Sequence, residues 1–249
     1  MELVLIGAGN MGKAMLKGLT QKYKIIVVEK NQEKREEVKK EFNVEVLEKI
    51  DDITNKVVIL AIKPQSLSSL DLNGEAKAII SILAGVSIER IKDRFSAKYY
   101  IRAMPNVAAL NLKSVTSVVG DKEFKKEALE ILSSIGKTIW LESQKELDIA
   151  TALAASSPAW LAIVAEALVD GAVNLGLNRS KAMEYMDGLF EGVGSLLATH
   201  HPAYLKDMIT SPAGTTIAGI KSLEKNSIRG SFIEAMQKSY KRAKKLEED

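Results

Sequence analysis

The stretch LVLIGAGNMG at residues 3–12 decides the fold, because it joins an apolar run directly to glycines spaced Gly-x-Gly-x-x-Gly. We predict a buried strand over Leu3–Ile6 and a helix that begins within the glycines. In that context Gly7 permits a tight turn, Gly9 lets the backbone approach a pyrophosphate, and Gly12 lets the helix pack closely on the strand. The amides and the dipole at the start of the helix favour phosphate groups. The stretch therefore predicts a dinucleotide site that contains Gly7, Gly9, Asn10, Met11 and Gly12.

Six further apolar runs follow this strand, and charged helical stretches separate them. The runs lie at Lys24–Val28, Val57–Ile62, Ala78–Leu83, Tyr99–Ala103, Val115–Val119 and Thr138–Leu141. Runs that are apolar throughout, rather than alternating with polar residues, indicate strands buried on both faces of a mostly parallel sheet. The alternation of strands and helices is typical of a doubly wound α/β fold. We therefore predict a Rossmann-type, dinucleotide-binding domain over residues 1–145.

The remainder of the chain, residues 146–249, changes character and carries almost no strand signal. It is rich in alanine, leucine and methionine, a composition of closely packed helices. The predicted helices span Asp148–Val173, Arg179–Ala198, Thr215–Ser222 and Ile228–Leu246. Helices this apolar, in a module of this size, leave surface that a single copy can hardly cover. We therefore predict that residues 146–249 form an all-helical dimerisation domain.

The composition excludes several classes of protein and site. The chain has 249 residues, of which 46% are hydrophobic and 27% charged, with a net charge of +3 and no cysteine. These are the values of a globular protein, and without cysteine there are no disulfides, thiolate metal sites or cysteine nucleophiles. The two histidines, His200 and His201, are adjacent and cannot alone make a zinc site, so we predict no metal. No charge block indicates a nucleic-acid partner, no apolar run reaches the roughly 18–20 residues that span a bilayer, and no basic leader precedes the first strand. We expect a cytoplasmic protein without a membrane or nucleic-acid partner.

Loops at the ends of three predicted strands carry further candidate cofactor residues. They contain Ala61, Lys63 and Pro64 after the third strand, residues 84–86 after the fourth, and Met104 and Asn106 after the fifth. In an open α/β sheet, ligands bind beyond the carboxyl ends of the strands. We therefore expect these loops to line one crevice with the glycine turn, an arrangement that indicates a nicotinamide site.

The end of the second strand bears on the choice of cofactor. Glu29 follows this strand directly, and an acidic residue here usually accepts a hydrogen bond from the ribose 2′-hydroxyl and repels a 2′-phosphate. Glu29 therefore favours NAD, while Lys30, Asn31 and Lys34 favour NADP because they can hold the phosphate. The alternative for Glu29 is a solvated surface charge. We predict NADP or NAD, with Glu29 and Asn31 in the cofactor site.

Six short motifs are distributed along the chain. They are GAGNMG at 7–12, AIKPQ at 61–65, SILAGV at 81–86, RAMPN at 102–106, SSPAW at 156–160 and LKDMITSPAGTTIAGI at 205–220. Together they resemble, nearly from end to end, the Δ1-pyrroline-5-carboxylate reductases, the last enzymes of proline biosynthesis. The resemblance implies reduction of 1-pyrroline-5-carboxylate to L-proline by hydride transfer from NAD(P)H. It also implies a helical domain that binds substrate and interlocks with a second subunit, giving a homodimer, and dimers that often assemble further into rings.

The segment Ser211–Thr216 fits a binding site for the carboxylate of such a substrate. Pro212 cannot donate a hydrogen bond and favours a helix start, and Gly214 permits close approach. We expect the amides of Gly214, Thr215 and Thr216 to be free at the helix N-terminus, which makes a carboxylate cradle without lysine or arginine. The predicted substrate-binding residues are Ser211, Gly214, Thr215 and Thr216. The resemblance further implies that Thr216 is the catalytic residue, which hydrogen-bonds the imine nitrogen and orients it.

The chain departs from the family pattern at several positions. Ala213 stands where relatives commonly have a second glycine, which costs little if its φ is negative. Residues 154–160 read AASSPAW instead of an SGSGPAY-like segment, and Val107-Ala108 replaces the common Thr-Pro. These departures remove no catalytic group, and we expect them to act on the shape of the nicotinamide and substrate pocket.

Two other functions stay open from the residues alone. A β-hydroxyacid dehydrogenase shares the GxGxMG opening and a helical second domain, but it needs a catalytic lysine on its long helix, and Leu153–Asp170 contains none. The other is a nucleotide-binding protein that has lost catalysis and serves as a redox sensor or scaffold. The segment Ser211–Thr216 argues against it, because a sensor has no use for a carboxylate site.

Overall fold

The apolar runs of the first half form one sheet of eight strands in the computed structural model, which describes residues 2–248 and the side chains of residues 2–245. The strands are β1 (Glu2–Ile6), β2 (Lys24–Val28), β3 (Glu45–Leu47), β4 (Val57–Leu60), β5 (Ala76–Ser81), β6 (Ala97–Met104), β7 (Ser114–Gly120) and β8 (Gly136–Trp140). Their order is β3-β2-β1-β4-β5-β6-β7-β8, and every neighbouring pair is parallel except β6 with β7. The predicted mostly parallel, doubly wound sheet is confirmed.

The order of the strands reverses between β1 and β4. The chain moves outward from β1 through β2 to β3, and then returns to place β4 on the other side of β1. Ile6 and Leu60 are register partners at the carboxyl ends of β1 and β4. Sheets of this kind bind ligands in the crevice beyond the strand ends at the point of reversal. The glycine turn after β1 and the loop after β4 both lie there.

Helices pack on both faces of the sheet. The helices of the first half are α1 (Asn10–Leu19), α2 (Gln32–Phe42), α3 (Ile88–Lys92), α4 (Lys125–Leu132) and α5 (Gln144–Ala150). Leu5 of β1 packs in one core with Met15 of α1, whereas its neighbour Ile6 packs in a second core with Ile91 of α3. Successive residues of a strand point to opposite faces, so a core on each side requires an apolar residue at every position. This is why the strands read as uninterrupted apolar runs.

The sequence analysis missed one strand, β3. It has three residues at the edge of the sheet, pairs only with β2, and begins with the exposed Glu45. A strand this short and half-exposed leaves no apolar run. Other predicted strand ends are displaced by a few residues, because apolar residues beyond a strand end can stay in the core. Leu83, for example, is buried although β5 ends at Ser81.

From α5 onward the described chain is helical. A π-helical turn at Thr151–Ser156 leads into α6 (Ser157–Asn174), α7 (Arg179–Leu197), α8 (Pro202–Ile209), α9 (Thr215–Lys225) and α10 (Ile228–Glu248). No strand occurs among residues 158–248, so the predicted all-helical second part is confirmed. The sequence analysis missed α8, which begins at Pro202 after His201, whose ring nitrogen accepts a hydrogen bond from the Ala203 amide.

The chain divides into two compact units. One contains Met1–Ser157 together with Lys238–Asp249, and the other contains Pro158–Gln237. The division falls inside the continuous helix Gln144–Asn174, and the end of α10 belongs to the first unit. The domain ranges 1–145 and 146–249 stay a prediction beside these units.

The second unit buries few of its apolar side chains within the single chain. Only Val169, Ala182 and Leu205 are buried among residues 158–237, all of which the structure describes. Ile163, by contrast, is 62% exposed. Apolar surface on this scale is typical of a protein interface.

The helix Gln144–Asn174 corrects one expectation from the sequence. Among the described residues it is the one helix that is long and apolar enough, by length and composition, to cross a membrane. The sequence analysis found no such run because it looked for uninterrupted apolar residues, whereas this helix is apolar on average over an 18-residue window. Only 11% of its most apolar window is buried within the single chain. The sequence analysis predicts that a second copy of the chain packs on this apolar surface.

Candidate cofactor and substrate sites

The glycine turn after β1 is packed tightly at two glycines and open at the third. Gly7 has φ +100, and a Cβ atom there would lie 2.7 Å from the Ala61 carbonyl oxygen. A Cβ atom on Gly12 would lie 2.2 Å from the Gly7 carbonyl oxygen, whereas one on Gly9 would meet no atom within 4 Å. Gly7 and Gly12 therefore build the turn, and Gly9 leaves its outer side free for a ligand.

The start of α1 fits a phosphate group. Gly9 is the N-cap of α1 and has no side chain to accept a hydrogen bond from the first amides of the helix. These amides have no intrahelical acceptor, and the helix dipole adds positive potential at the same place. The first turn, which begins at Asn10, contains no acidic residue to compete for the amides. The residues present thus fit the pyrophosphate of a dinucleotide.

The loop after β4 lies directly against the glycine turn. The Ala61 amide donates to the Ile6 carbonyl at 2.8 Å, and the Ala61 carbonyl lies beside Gly7. Lys63 then precedes a 3₁₀ turn at Pro64–Ser66. The structure therefore brings together two groups of predicted cofactor residues, those of the glycine turn and those after β4.

Glu29 connects the glycine turn to the loop after β2. Its Oε2 accepts a hydrogen bond from the Ala8 amide and its Oε1 accepts one from the Asn31 amide, both at 2.9 Å. The Asn31 side chain in turn caps α2 by accepting from the Lys34 amide at 3.0 Å. Arg35 also contacts this loop, because its Nη1 donates to the Glu29 carbonyl at 3.0 Å. Glu29 is therefore fixed by the fold and is not a free surface charge, although each oxygen keeps a second lone pair for a ribose hydroxyl.

The tip of β6 is held by Asn106. The Asn106 amide donates to Ser114 Oγ at 3.1 Å, and Asn106 Oδ1 accepts from the Val115 amide at 3.3 Å. Its Nδ2 donates to the Ala154 carbonyl at 2.9 Å. Both polar atoms of the side chain thus bond within the protein, and Met104 beside it is buried. The prediction that Met104 and Asn106 contact the cofactor stays a prediction.

The sequence analysis missed a buried polar cluster near the carboxyl end of β6. Arg102 Nη2 lies 3.5 Å from Asp148 Oδ1 of α5, and both side chains are buried. Gln144 accepts from Arg102 Nη1 at 3.1 Å and donates to the Glu89 carboxylate at 3.1 Å. The hydrogen bond from Gln144 lowers the pKa of Glu89 below its ordinary value. An arginine inside an apolar strand was the available signal, because a buried charge requires a partner.

The segment Ser211–Gly214 forms a β-turn that ends where α9 begins. The Gly214 amide donates to the Ser211 carbonyl at 3.2 Å, which makes Pro212 the second residue of the turn. The prediction that Pro212 starts the helix is wrong, because α9 begins at Thr215. Ala213 has φ +57, in the left-handed region. The expectation that alanine costs little stability here depended on a negative φ, and it is therefore wrong.

The amides at the start of α9 make a partial cradle. The Gly214 amide is bonded to Ser211, so the expectation that it is free was wrong. Thr215 and Thr216 are the first helical residues, and their amides lack intrahelical acceptors. Gly214 is the N-cap without a side-chain cap, and the first turn contains no acidic residue. This helix start can accept a small carboxylate.

Comparison with known proteins matches both halves of the chain. Residues 144–246 match the family described as pyrroline-5-carboxylate reductase dimerisation, and residues 2–85 match the family described as NADP oxidoreductase, coenzyme F420-dependent. The pyrroline-5-carboxylate reductase of Helicobacter pylori J99 is 32% identical, over 96% of this chain and 98% of the relative. That of Synechocystis is 35% identical, over 98% of both chains. The crystal structure of 1-pyrroline-5-carboxylate reductase from Streptococcus pyogenes has 31% identity and a TM-score of 0.87, and the match covers 98% of both chains.

These matches agree with the features found in the fold. The apolar helices of the second unit fall within residues that match a dimerisation family, which supports homo-oligomerisation of the chain. The glycine turn falls within an oxidoreductase domain of Rossmann type. With relatives above 30% identity over nearly its whole length, the chain belongs to the pyrroline-5-carboxylate reductase family.

Proposed function

We propose that this chain catalyses the NAD(P)H-dependent reduction of 1-pyrroline-5-carboxylate to L-proline, the last step of proline biosynthesis. The observation that carries the proposal is the start of α9, where the turn Ser211–Gly214 leaves the Thr215 and Thr216 amides available beside a small-residue N-cap. A helix start of this kind suits a substrate with a single carboxylate. The relatives that match the chain from end to end carry the name of this activity.

The cofactor site is formed by the predicted residues of the first unit, among which Asn106 contributes by fixing the tip of β6. Gly7, Gly9, Asn10, Met11 and Gly12 form the pyrophosphate turn, Ala61, Lys63 and Pro64 form the loop beside it, and Met104 and Asn106 form the tip of β6. When bound, the reduced nicotinamide supplies the hydride. The chain contributes placement, which can lower a barrier by several kcal/mol because no rotational freedom is then lost on the way to the transition state.

The choice between NADP and NAD depends on the loop after β2. The Glu29 carboxylate lies between the Ala8 and Asn31 amides and disfavours a 2′-phosphate by charge repulsion. Lys30 and Lys34, both exposed, provide positive charge on the same loop. We propose that the enzyme accepts both cofactors.

The substrate is held by Ser211, Thr215 and Thr216, and Gly214, the N-cap without a side chain, lets it approach them. The amides of Thr215 and Thr216 hold the carboxylate, and the Ser211 hydroxyl lies in the turn before them, against Gly214. The Thr216 hydroxyl oxygen accepts a hydrogen bond from the N–H of the protonated ring imine and so orients the imine carbon, and Thr216 is the catalytic residue. A protonated imine accepts hydride directly, so no side chain has to act as a strong acid.

The assembly follows from the exposed helices of the second unit. We propose a homodimer formed by the helical domain, with domain ranges 1–145 and 146–249, and a ring of such dimers as the larger assembly. The exposed apolar side chains of α6 and the match to a dimerisation family support this arrangement. We also propose that the enzyme is cytoplasmic, with the helix Gln144–Asn174 covered by the partner subunit and not by lipid.

The experiment is a side-by-side measurement of substrate-dependent oxidation of NADPH and of NADH. Wild type is compared with Thr216→Ala and with Thr199→Ala, a matched control at an exposed threonine after α7. We expect turnover by wild type and by Thr199→Ala, and a loss of at least about tenfold in kcat in Thr216→Ala, corresponding to one lost hydrogen bond of about 1.4 kcal/mol. Folded wild type that binds a dinucleotide and shows no turnover would contradict the proposal and favour the non-catalytic alternative.

A further inference from the structure

The helix Gln144–Asn174 contains a π-helical turn at Thr151–Ser156. Such turns are rare, and many lie at functional sites. In an α-helix each carbonyl accepts from the amide four residues further on. For Ala154 that residue is Pro158, which has no amide hydrogen. Pro158 therefore removes the partner that the Ala154 carbonyl would have in an α-helix, at a residue that lies in the π-helical turn.

Asn106 supplies a donor to that carbonyl from 48 residues away. Its Nδ2 lies 2.9 Å from the Ala154 oxygen, and the residue is 9% exposed. The same side chain accepts from the Val115 amide at 3.3 Å, at the start of β7. Asn106 thus joins the tip of β6, the start of β7 and the π-helical turn through one amide group.

A second contact joins β6 to the same helix. Arg102 forms the buried ion pair with Asp148. Arg102 lies four residues before Asn106 in the sequence, and Asp148 lies six residues before Ala154 on the helix. Arg102 also donates to Gln144, one turn earlier. The strand therefore holds the helix at two levels, and Asn106 makes the contact nearest to the strand end.

We propose that Asn106 is a positioning residue for the reduction, whose side-chain amide replaces the donor missing at Pro158 and so fixes the tip of β6 against residues 151–156. The inference rests on the proposed function, because the tip of β6 is one of the loops predicted to contact the nicotinamide. Each polar atom of the side chain already makes a hydrogen bond within the protein and the residue is buried, so Asn106 acts through the placement of the tip. A displacement of the reacting groups by about 1 Å can lower a rate a hundredfold.

The test is a double-mutant cycle between Asn106 and Pro158. Asn106→Asp keeps the acceptor for the Val115 amide and removes the donor to Ala154, whereas Pro158→Ala returns an amide to the helix. We expect Asn106→Asp to lower kcat about tenfold while the dissociation constant of NADPH, measured by fluorescence without substrate, changes by less than about threefold. In the Pro158→Ala background the same substitution is expected to lower kcat by less than about threefold. Asn111→Ala, at an exposed asparagine of the 3₁₀ turn Val107–Asn111, is the control.

Several results would overturn the inference. One is an equal loss of kcat with and without Pro158→Ala, and another is a loss of NADPH affinity that matches the loss of kcat, which would make the side chain a cofactor ligand. A second cycle uses Asn106→Ala, which avoids the buried carboxylate that Asn106→Asp introduces. If both single variants of Asn106 fail to fold, the inference requires each to fold in the Pro158→Ala background, and failure there overturns it. A wild type without turnover contradicts the proposed function instead, so the two failures are distinguishable.

Discussion

The Glu29 carboxylate accepts a hydrogen bond from the Ala8 amide at 2.9 Å, and so fastens the end of β2 to the glycine turn. This contact places a negative charge beside the position expected for the adenosine ribose. We expect Glu29→Gln to raise the ratio of kcat/KM for NADPH to that for NADH by about tenfold, because removing one repulsive charge in a partly buried site is worth about 1.4 kcal/mol. Steady-state rates with both cofactors give the ratio. Glu33→Gln, in the first turn of α2, is the control and should leave it unchanged. An unchanged ratio in Glu29→Gln would make Glu29 a structural residue only.

The glycine turn separates a structural glycine from a ligand-facing one. A Cβ atom on Gly12 would lie 2.2 Å from the Gly7 carbonyl, so we expect Gly12→Ala to lower the free energy of unfolding by about 1–3 kcal/mol. Gly9→Ala meets no atom within 4 Å, and we expect a loss of stability within about 1 kcal/mol. Its NADPH affinity should nevertheless fall by at least about tenfold, because the methyl group occupies the side on which the pyrophosphate approaches. Denaturant unfolding and a fluorescence titration measure both quantities. Equal stability of the two variants would contradict the assignment of the glycines.

Ala213 holds a backbone conformation that suits glycine better. Its φ of +57 costs an alanine about 1 kcal/mol, while glycine loses about 0.5–1 kcal/mol more entropy on folding. We therefore expect Ala213→Gly to be neutral or to stabilise the protein by up to about 1 kcal/mol. Ala218→Gly, the same change inside α9, should destabilise it by about 1 kcal/mol. Thermal unfolding at one fixed protein concentration compares them, and equal losses in both variants would show that the turn is not strained.

The residues that the sequence could predict are those whose role depends on near neighbours. Gly7 and Gly12 lie against each other within one turn, so their spacing alone predicted the turn that the structure shows. The bond between Asn106 and Ala154 joins residues 48 positions apart, and no local pattern shows it. The φ of Ala213 depends on how the turn before α9 closes, which the sequence of the turn does not determine by itself.

Glu89 gives the first unit a modest dependence on pH. The hydrogen bond from Gln144 lowers the pKa of Glu89 in the folded protein, so its contribution to stability is present above the unfolded value near 4.5 and is lost as the pH falls through the folded value. Glu89 is exposed, so we expect Glu89→Gln to lower the free energy of unfolding by only about 0.5 kcal/mol at pH 7. The difference from wild type should shrink as the pH falls below about 4.5. Thermal unfolding of both proteins, at about four pH values between about 3.5 and 7, measures this difference. A difference that grows toward low pH would have the wrong sign for a lowered pKa.

The exposed apolar face of α6 carries the last prediction. Ile163 is 62% exposed in the single chain, although it lies in the matched dimerisation domain. We expect Ile163→Lys to raise the dissociation constant of the dimer by at least about a hundredfold, because an unpaired ammonium group would be buried at a cost of about 2.7 kcal/mol or more. Sedimentation velocity over a series of protein concentrations measures the constant. Ile139→Lys, at a 40% exposed position of the edge strand β8, introduces the same charge in the first unit and should leave assembly unchanged. If Ile163→Lys sediments like wild type at every concentration, then Ile163 lies outside the interface between copies, and the prediction that a second copy covers α6 is wrong.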